Sequence, residues 1–136
     1  MRAIATVLIL VGASLAYSQP NKDLYELQAR CGQQAADVFA RDYVPVQNTK
    51  DGQRLMNYEN HFSQRLNKCF FLEILVVVEK RKWSKQMRLF DLNENKEYGS
   101  YFDSDATPRY VNCYVRDARC SSEEEWRKLA KPYLED

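Results

Sequence analysis

The chain is poor in the residues that most often carry enzymatic chemistry. It contains one histidine, His61, among 136 residues, so the paired histidines of the H-E-x-x-H zinc-protease motif are missing. No serine stands in the G-x-S-x-G pattern that builds the nucleophile elbow of α/β-hydrolases. The four cysteines include no C-x-x-C pair, which disfavours a zinc ribbon or a redox-active dithiol. The sequence therefore predicts no metal and no cofactor, and favours a protein that is not an enzyme.

Long apolar runs are scarce as well, apart from one at the start of the chain. The run Ala3–Ala16 follows Arg2 and leads into small residues, which is the order typical of a secretory signal peptide. Cleavage after Ser18 would separate a leader, residues 1–18, from a mature domain, residues 19–136. An uncleaved anchor is the alternative, but it needs roughly 20 apolar residues to span the bilayer. We therefore expect a secreted or periplasmic protein without a membrane span after cleavage.

Neither sign of charge is in excess. The chain has 20 Lys and Arg residues against 19 Asp and Glu residues, and loss of Arg2 with the leader leaves 19 against 19. Proteins that bind nucleic acids or anionic membranes carry a basic excess that releases counterions, so no nucleic-acid partner is expected. Repeats and linkers rich in proline, glycine or serine are also missing, and the length suits one domain.

Hydrophobic periodicity predicts an α+β domain with a helix near each end. Apolar residues recur at helical spacing over about Asp23–Asp42, and Asp23 with Glu26 forms a candidate capping box. A second, short helix is expected from Ser121 to about Lys131, where Pro132 would end it.

The middle of the chain predicts an antiparallel meander of about five strands, with both helices on one face of the sheet. The spacing in residues 54–66 fits a helix or a strand; we favour a strand because Cys69–Val78 is an almost purely apolar central strand. Residues 43–52 contain Pro45 and Gly52 and predict a loop. The remaining strands are expected at Trp83–Leu92, Tyr98–Phe102 and Tyr110–Arg116, with a hairpin turn at Asn93–Lys96.

Four cysteines in an exported chain predict two disulfides. Three pairings are possible, and the sequence alone does not choose strictly among them. Economy favours Cys113 with Cys120, which would fasten the last helix to the sheet. It leaves Cys31 with Cys69, which would join the first helix to the central strand and stabilise the fold by about 3 to 4 kcal/mol.

His61 is the one candidate general base of the sequence. Its neighbours Tyr58, Glu59 and Asn60 could supply polar partners, but a triad would need a serine such as Ser63, and no pattern singles one out. A histidine that makes one hydrogen bond near the surface is the simpler interpretation.

Two charged groups offer further candidates. Carboxylates cluster at Asp91, Glu94, Glu97, Asp103 and Asp105. Their spacing fits neither a calcium loop nor a glycosidase pair, so they are expected to be solvated strand ends. A basic stretch follows the central strand at Lys80, Arg81, Lys82, Lys85 and Arg88. This stretch suits an acidic partner, and also suits a solvated turn with a protected strand edge.

Several segments together carry a resemblance to other sequences. They are KDLYELQ, YENH, LNKCF, LFDLNENKEYGS, EEEW and KPY, which run from Lys22 almost to the end of the chain. With the four-cysteine frame, they resemble a group of small exported bacterial proteins of uncharacterised function. The resemblance implies export and a bacterial origin, and it brings no activity, ligand or functional residue.

Two classes of function remain. The first is a protein-binding or inhibitory module for an extracytoplasmic protein, which would present His61 and four tyrosines, Tyr98, Tyr101, Tyr110 and Tyr114, because tyrosine is favoured at interfaces. These tyrosines are equally suited to lining the sheet. The second is a small extracytoplasmic hydrolase that uses His61. The lack of a recognisable cluster of nucleophile, base and orienting group favours binding over catalysis.

Overall fold

A computed structural model describes residues 21–136; the predicted leader and its cleavage site lie outside the described residues. This part of the chain has two helices and seven strands: α1 Lys22–Asp42, β1 Val46–Asn48, β2 Gly52–Ser63, β3 Lys68–Glu79, β4 Lys82–Asp91, β5 Lys96–Ser104, β6 Asn112–Val115, β7 Ala118–Arg119 and α2 Glu123–Leu134. The strands form one sheet in chain order, and each pair of neighbours is antiparallel. The predicted α+β class and meander are confirmed, with seven strands instead of about five.

The two additional strands are short and lie at the edges of the sheet. β1 lies inside the segment predicted as a loop, where Pro45 immediately precedes the strand and Gly52 opens the next one. These two residues therefore bound β1 and do not break it. β7 follows β6 after a two-residue turn in which Arg116 has φ 54°. The ambiguous segment 54–66 is mostly strand, as favoured, because β2 extends to Ser63.

The helices pack on opposite faces of the sheet, which corrects the expectation of a single covered face. Successive side chains of a strand point to opposite faces, and β3 shows the division directly. Phe71 stacks with Tyr43 at the end of α1, whereas its neighbour Phe70 makes an edge-to-face contact with Tyr133 of α2. The sequence of β3 is apolar on both faces for this reason.

The larger core lies between α2 and the sheet. Trp126 is fully buried there, and its indole Nε1 donates a 3.0 Å hydrogen bond to the carbonyl oxygen of Tyr114. Ala130 of α2 is fully buried beside it, and β3 and β4 supply the other fully buried apolar residues of this face: Phe70, Leu72, Met87 and Leu89. A second, smaller cluster of Cys31, Phe62 and Cys69 lies under α1.

The helix ends differ in detail from the prediction. α1 is capped by Asn21, whose Oδ1 accepts from Leu24 N at 3.3 Å, so the Asp23 capping box is not used. At α2, Ser122 Oγ accepts from Glu125 N at 3.2 Å, as a serine N-cap should. Pro132 lies inside α2 and does not end it, since the helix continues for two residues to Leu134. The proline removes the one intrahelical hydrogen bond that residue 132 would donate.

Two disulfides are present, Cys31–Cys69 and Cys113–Cys120, the pairing that economy favoured. The first joins α1 to β3 on one face. The second joins β6 to the residues that lead into α2 on the other face. Each helix is therefore fastened to the sheet by its own bridge.

Candidate functional site

The structure separates the tyrosines that the sequence proposed as a binding surface. Tyr101 is only 4% exposed, and Tyr98 packs between Phe70 and Tyr133, so both belong to the core under α2. Tyr114 lies on the α1 face, and Tyr110 follows the loop of residues 105–109. No single surface therefore presents all four rings.

Tyr101 also belongs to a buried polar cluster. Its hydroxyl donates to Asp103 Oδ2 at 3.1 Å, and Arg109 Nε donates to Asp103 Oδ1 at 2.8 Å. The hydrogen bonds from Arg109 hold the pKa of Asp103 below its usual value. Burial, followed by the bond to Asp103, raises the pKa of Tyr101 to about 12. These hydrogen bonds occupy both oxygens of Asp103, so its carboxylate is not a free base.

A ladder of polar side chains crosses the α1 face. Tyr43 donates to the buried Glu73 at 2.8 Å, and Arg88 Nε donates to Glu97 Oε2 at 2.9 Å. Tyr114 donates to the other oxygen of Glu97, which raises the pKa of Tyr114. Each carboxylate thus already holds a donor, so this ladder does not offer the free acid and base that hydrolysis needs.

Tyr110 is the one proposed tyrosine that is well exposed, at 64%. Its ring centroid lies 6.1 Å from that of Phe102. It follows the loop of residues 105–109 and is separate from the other three rings.

His61 lies at the far end of β2, next to the end of the chain. Its Nε2 is 3.3 Å from Asp136 Oδ1, yet Nε2 is buried and has no hydrogen-bond partner among residues 21–136. The nearby Ser63 Oγ accepts from Leu66 N, and all four cysteines are in disulfides. His61 thus has a carboxylate neighbour but no nucleophile bonded to Nε2.

A cavity of about 640 Å³ opens near the same end of α2. Pro132, Gln64 and five charged side chains line it: Arg65, Lys128, Lys131, Glu135 and Asp136. His61 is not part of its wall, so the cavity does not connect the imidazole with a substrate.

The opposite end of the sheet exposes a contiguous apolar surface, the end patch, formed by Val46, Leu55, Val76, Val78 and Trp83. Register makes these residues neighbours: Val46 is opposite Leu55, Leu55 is opposite Val76, and Val78 is opposite Trp83. Directly opposite residues lie on the same face. Val46 is 52% exposed, Val78 45% and Trp83 42%. Isolated apolar residues on a surface are ordinary, whereas larger contiguous patches are typical of interaction surfaces, which makes the end patch a candidate site.

The end patch is open because α2 does not reach it. α2 begins where Glu123 binds Lys85 at 2.7 Å, and Lys85 is opposite Val76 at the border of the patch. From there the helix runs toward the other end of β2, where Arg65 donates to the carbonyl oxygen of Pro132. The apolar side chains of the patch therefore continue the core of this face beyond the part that α2 covers.

One border of the patch is the free edge of β1. Met56 N donates to Pro45 O, and Thr49 N donates to Gly52 O, so the pairs at these positions are the hydrogen-bonded kind. Such pairs alternate along an antiparallel ladder. The main-chain groups of Val46 and Asn48 therefore point away from β2, and no strand among residues 21–136 lies beside them.

The other border is a basic rim at the tip of the sheet, defined by Lys50, Arg81 and Lys82. All three side chains are exposed, and none has a carboxylate within salt-bridge distance in the part of the chain that the structure describes. Their neighbours are paired, since Lys80 binds Asp51 and Arg54 binds Glu79.

Arg81 of the basic rim lies in the two-residue turn between β3 and β4. Lys80 has φ 51° and Arg81 φ 65°, the left-handed values that a tight hairpin requires. Asn-Gly adopts them at least cost, whereas other residues lose about 1–2 kcal/mol each. A basic dipeptide at a position that favours Asn-Gly is a local departure from turn chemistry, and such departures concentrate at functional positions.

The sequence interpretation missed the end patch, although two signals were available. Val76 and Val78 continue the apolar run of β3 past the residues that two helices of this length can cover. Val46 lies in a segment that proline and glycine made look like a loop. Only the register of β1 with β2 brings Val46 beside Leu55.

Two further observations limit the kinds of site. Residues 21–136 contain no group of three His, Cys, Asp or Glu side chains that could hold a metal ion. No helix among those residues is long and apolar enough to cross a membrane. In comparisons with known proteins, no family model, curated protein or solved structure matches the chain.

Proposed function

We propose that the protein is an exported, disulfide-braced module that binds another extracytoplasmic protein through the end patch. The observation that carries this proposal is the contiguous surface of the exposed Val46, Leu55, Val78 and Trp83, joined by the half-buried Val76, beside a free strand edge. Apolar surface with an aromatic anchor and a polar rim is the composition typical of protein interfaces.

The two disulfides and the predicted leader support an extracytoplasmic location. Disulfides persist in oxidising compartments and are rare in the cytosol, so the two bridges fit an extracytoplasmic protein. The leader, residues 1–18, supports secretion or a periplasmic location of a bacterial protein. A partner in the same compartment is therefore the natural target, and an inhibitory role is one form of such binding.

The alternative, a hydrolase that uses His61, receives less support. Asp136 is suitably close to orient the imidazole, but a base also needs a nucleophile within about 2.6–3.2 Å. The hydroxyl of Ser63 is already an acceptor for Leu66 N.

The test compares a patch variant with a matched surface variant. Leu55→Glu/Val78→Glu inserts two charges into the end patch, whereas Tyr25→Glu/Leu27→Glu makes the same change at exposed apolar residues of α1. Both proteins, and the wild type, would be immobilised and exposed to extracytoplasmic extract of the source cells. We expect one protein to be retained by the wild type and by the α1 variant and to be lost with the patch variant.

Retention of that protein by the patch variant would refute the proposal. Circular dichroism of each variant would show that the fold is intact, because both substitutions are on the surface. A His61→Ala protein in the same experiment addresses the alternative, since binding through the end patch should not depend on His61.

A further inference from the structure

We infer that the partner contributes an extended, acidic segment that adds to β1 as an eighth strand. This inference rests on the proposed function and specifies the chemistry of the partner. Strand addition uses main-chain hydrogen bonds for affinity and alternate side chains for specificity. The structure offers both, since the free edge of β1 borders the end patch, whose side chains lie on one face of the sheet.

The main-chain part of the site is the outward edge of β1. The N–H and C=O groups of Val46 and Asn48 face away from β2. This follows from the two backbone bonds between β2 and the residues that flank β1, since hydrogen-bonded and non-hydrogen-bonded pairs alternate. Edges of this kind pair with other chains unless they are blocked. β1 carries no lysine and no bulge within Val46–Asn48, so only its length of three residues and the preceding Pro45 limit pairing at this edge.

The side-chain part of the site selects an apolar residue at alternate positions of the incoming segment. A residue paired with Val46 would lie on the same face as Leu55, Val76 and Val78, because paired residues share a face across every strand of the sheet. The row Val46, Leu55, Val76 therefore continues into the partner. The exposed Val44, at 60% exposure, lies beside the same edge.

Charge complementarity selects acids and sets a direction. Lys50 lies two residues after the end of β1, and the Lys80 N to Asp51 O bond brings Arg81 beside that turn. Lys82 opens β4 and lies farther from β1. A segment antiparallel to β1 starts near Asn48 and ends near Val46. Its acidic residues should thus precede its apolar residues, next to the unpaired cations of the basic rim.

The decisive substitution is Val46→Pro. Proline is tolerated at an edge where its missing N–H would face solvent, so the fold should remain, while the hydrogen bond to the partner is lost and the ring obstructs the incoming strand. Val46→Ala is the matched control because it retains the N–H and shortens the side chain.

The probe is a displayed library of random twelve-residue peptides, selected on the wild-type protein. We expect enriched peptides with acidic residues followed by alternating apolar residues. Val46→Pro should weaken the best peptide by about tenfold or more, which corresponds to one lost hydrogen bond with its obstruction. Val46→Ala should weaken it by only about two- to threefold. Lys50→Glu/Arg81→Glu should weaken it by at least about fivefold at low salt and less at high salt.

The outcomes separate this inference from the proposed function. If Leu55→Glu/Val78→Glu abolishes binding while Val46→Pro leaves it unchanged, the patch binds but strand addition is wrong. Enrichment of peptides without acids, or no enrichment, overturns the inference as well. Light scattering tests the remaining possible occupant of the edge, a second copy of this chain. A dimer that Val46→Pro dissociates would assign the edge to that second copy and overturn the inference.

Discussion

Removing the Cys31–Cys69 bridge should destabilise the protein more than removing Cys113–Cys120. The two cysteines of the first bridge are 38 residues apart, and those of the second are 7 apart. A disulfide mainly restricts the unfolded chain, with an entropy that grows as about 2.1 + 1.5R ln n cal/mol/K for a loop of n residues. At 25 °C this gives about 3.9 kcal/mol for the longer loop and about 2.4 kcal/mol for the shorter one.

The assay is urea unfolding of Cys31→Ala/Cys69→Ala and Cys113→Ala/Cys120→Ala, followed by circular dichroism. Each variant removes two sulfur atoms, and three of the four cysteines are almost fully buried, so the packing losses are similar. The difference between the two free energies of unfolding should therefore be about 1.5 kcal/mol. Equal losses, or a larger loss for the shorter loop, would refute the reasoning that chain entropy sets the order.

Two further predictions concern close packing and pH. A Cβ at residue 52 would lie 1.8 Å from the carbonyl oxygen of Val78, whereas at residue 32 its nearest neighbour is 3.9 Å away. Gly52→Ala should therefore lower the urea midpoint, and Gly32→Ala, inside α1, should raise stability by about 0.5–1 kcal/mol; a stable Gly52→Ala protein would contradict the register of β2 with β3. Burial raises the pKa of Tyr43 and of Tyr101 to about 12, so both favour the protonated ring in the folded state. The stability they contribute is complete below the ordinary tyrosine pKa of about 10 and is lost as the pH rises toward 12, which urea unfolding across that range would measure. The double variant Tyr43→Phe/Tyr101→Phe should flatten this decline, and an unchanged slope would show that other groups cause it.

The sequence predicts those parts of the fold that depend on local pattern. The helical spacing before Asp42 and the unbroken apolar run of β3 each reflect a pattern of neighbouring residues along the chain. β1 was not predictable in this way, because a three-residue strand between Pro45 and Gly52 has too few residues to show alternation. It forms because β2 provides a partner.

The distribution of the helices over two faces is also a tertiary property. An apolar run such as Cys69–Val78 indicates a strand covered on both faces, but not which helix covers which face. The choice depends on the parity of single residues: Cys69 and Phe71 point to α1, and Phe70 and Leu72 point to α2.

The candidate site was predictable only in its charges. The basic stretch at Lys80–Lys82 is visible in the sequence, and its suitability for an acidic partner follows from charge alone. The tyrosines were a poor guide, because aromatic residues serve cores and interfaces equally well, and Tyr98 and Tyr101 entered the core. The end patch needs knowledge of where α2 stops, which no local pattern contains.

The order of the cysteines along the chain has a consequence for how the protein is made. Each disulfide joins a cysteine to the next one in sequence, and each strand pairs with the strand before it. When a chain emerges from the ribosome or an export channel with its N-terminus first, Cys31 and Cys69 are both available before Cys113 appears. An oxidising enzyme that joins cysteines as they arrive thus makes the native bridges directly, and an isomerase to correct wrong pairs is not required.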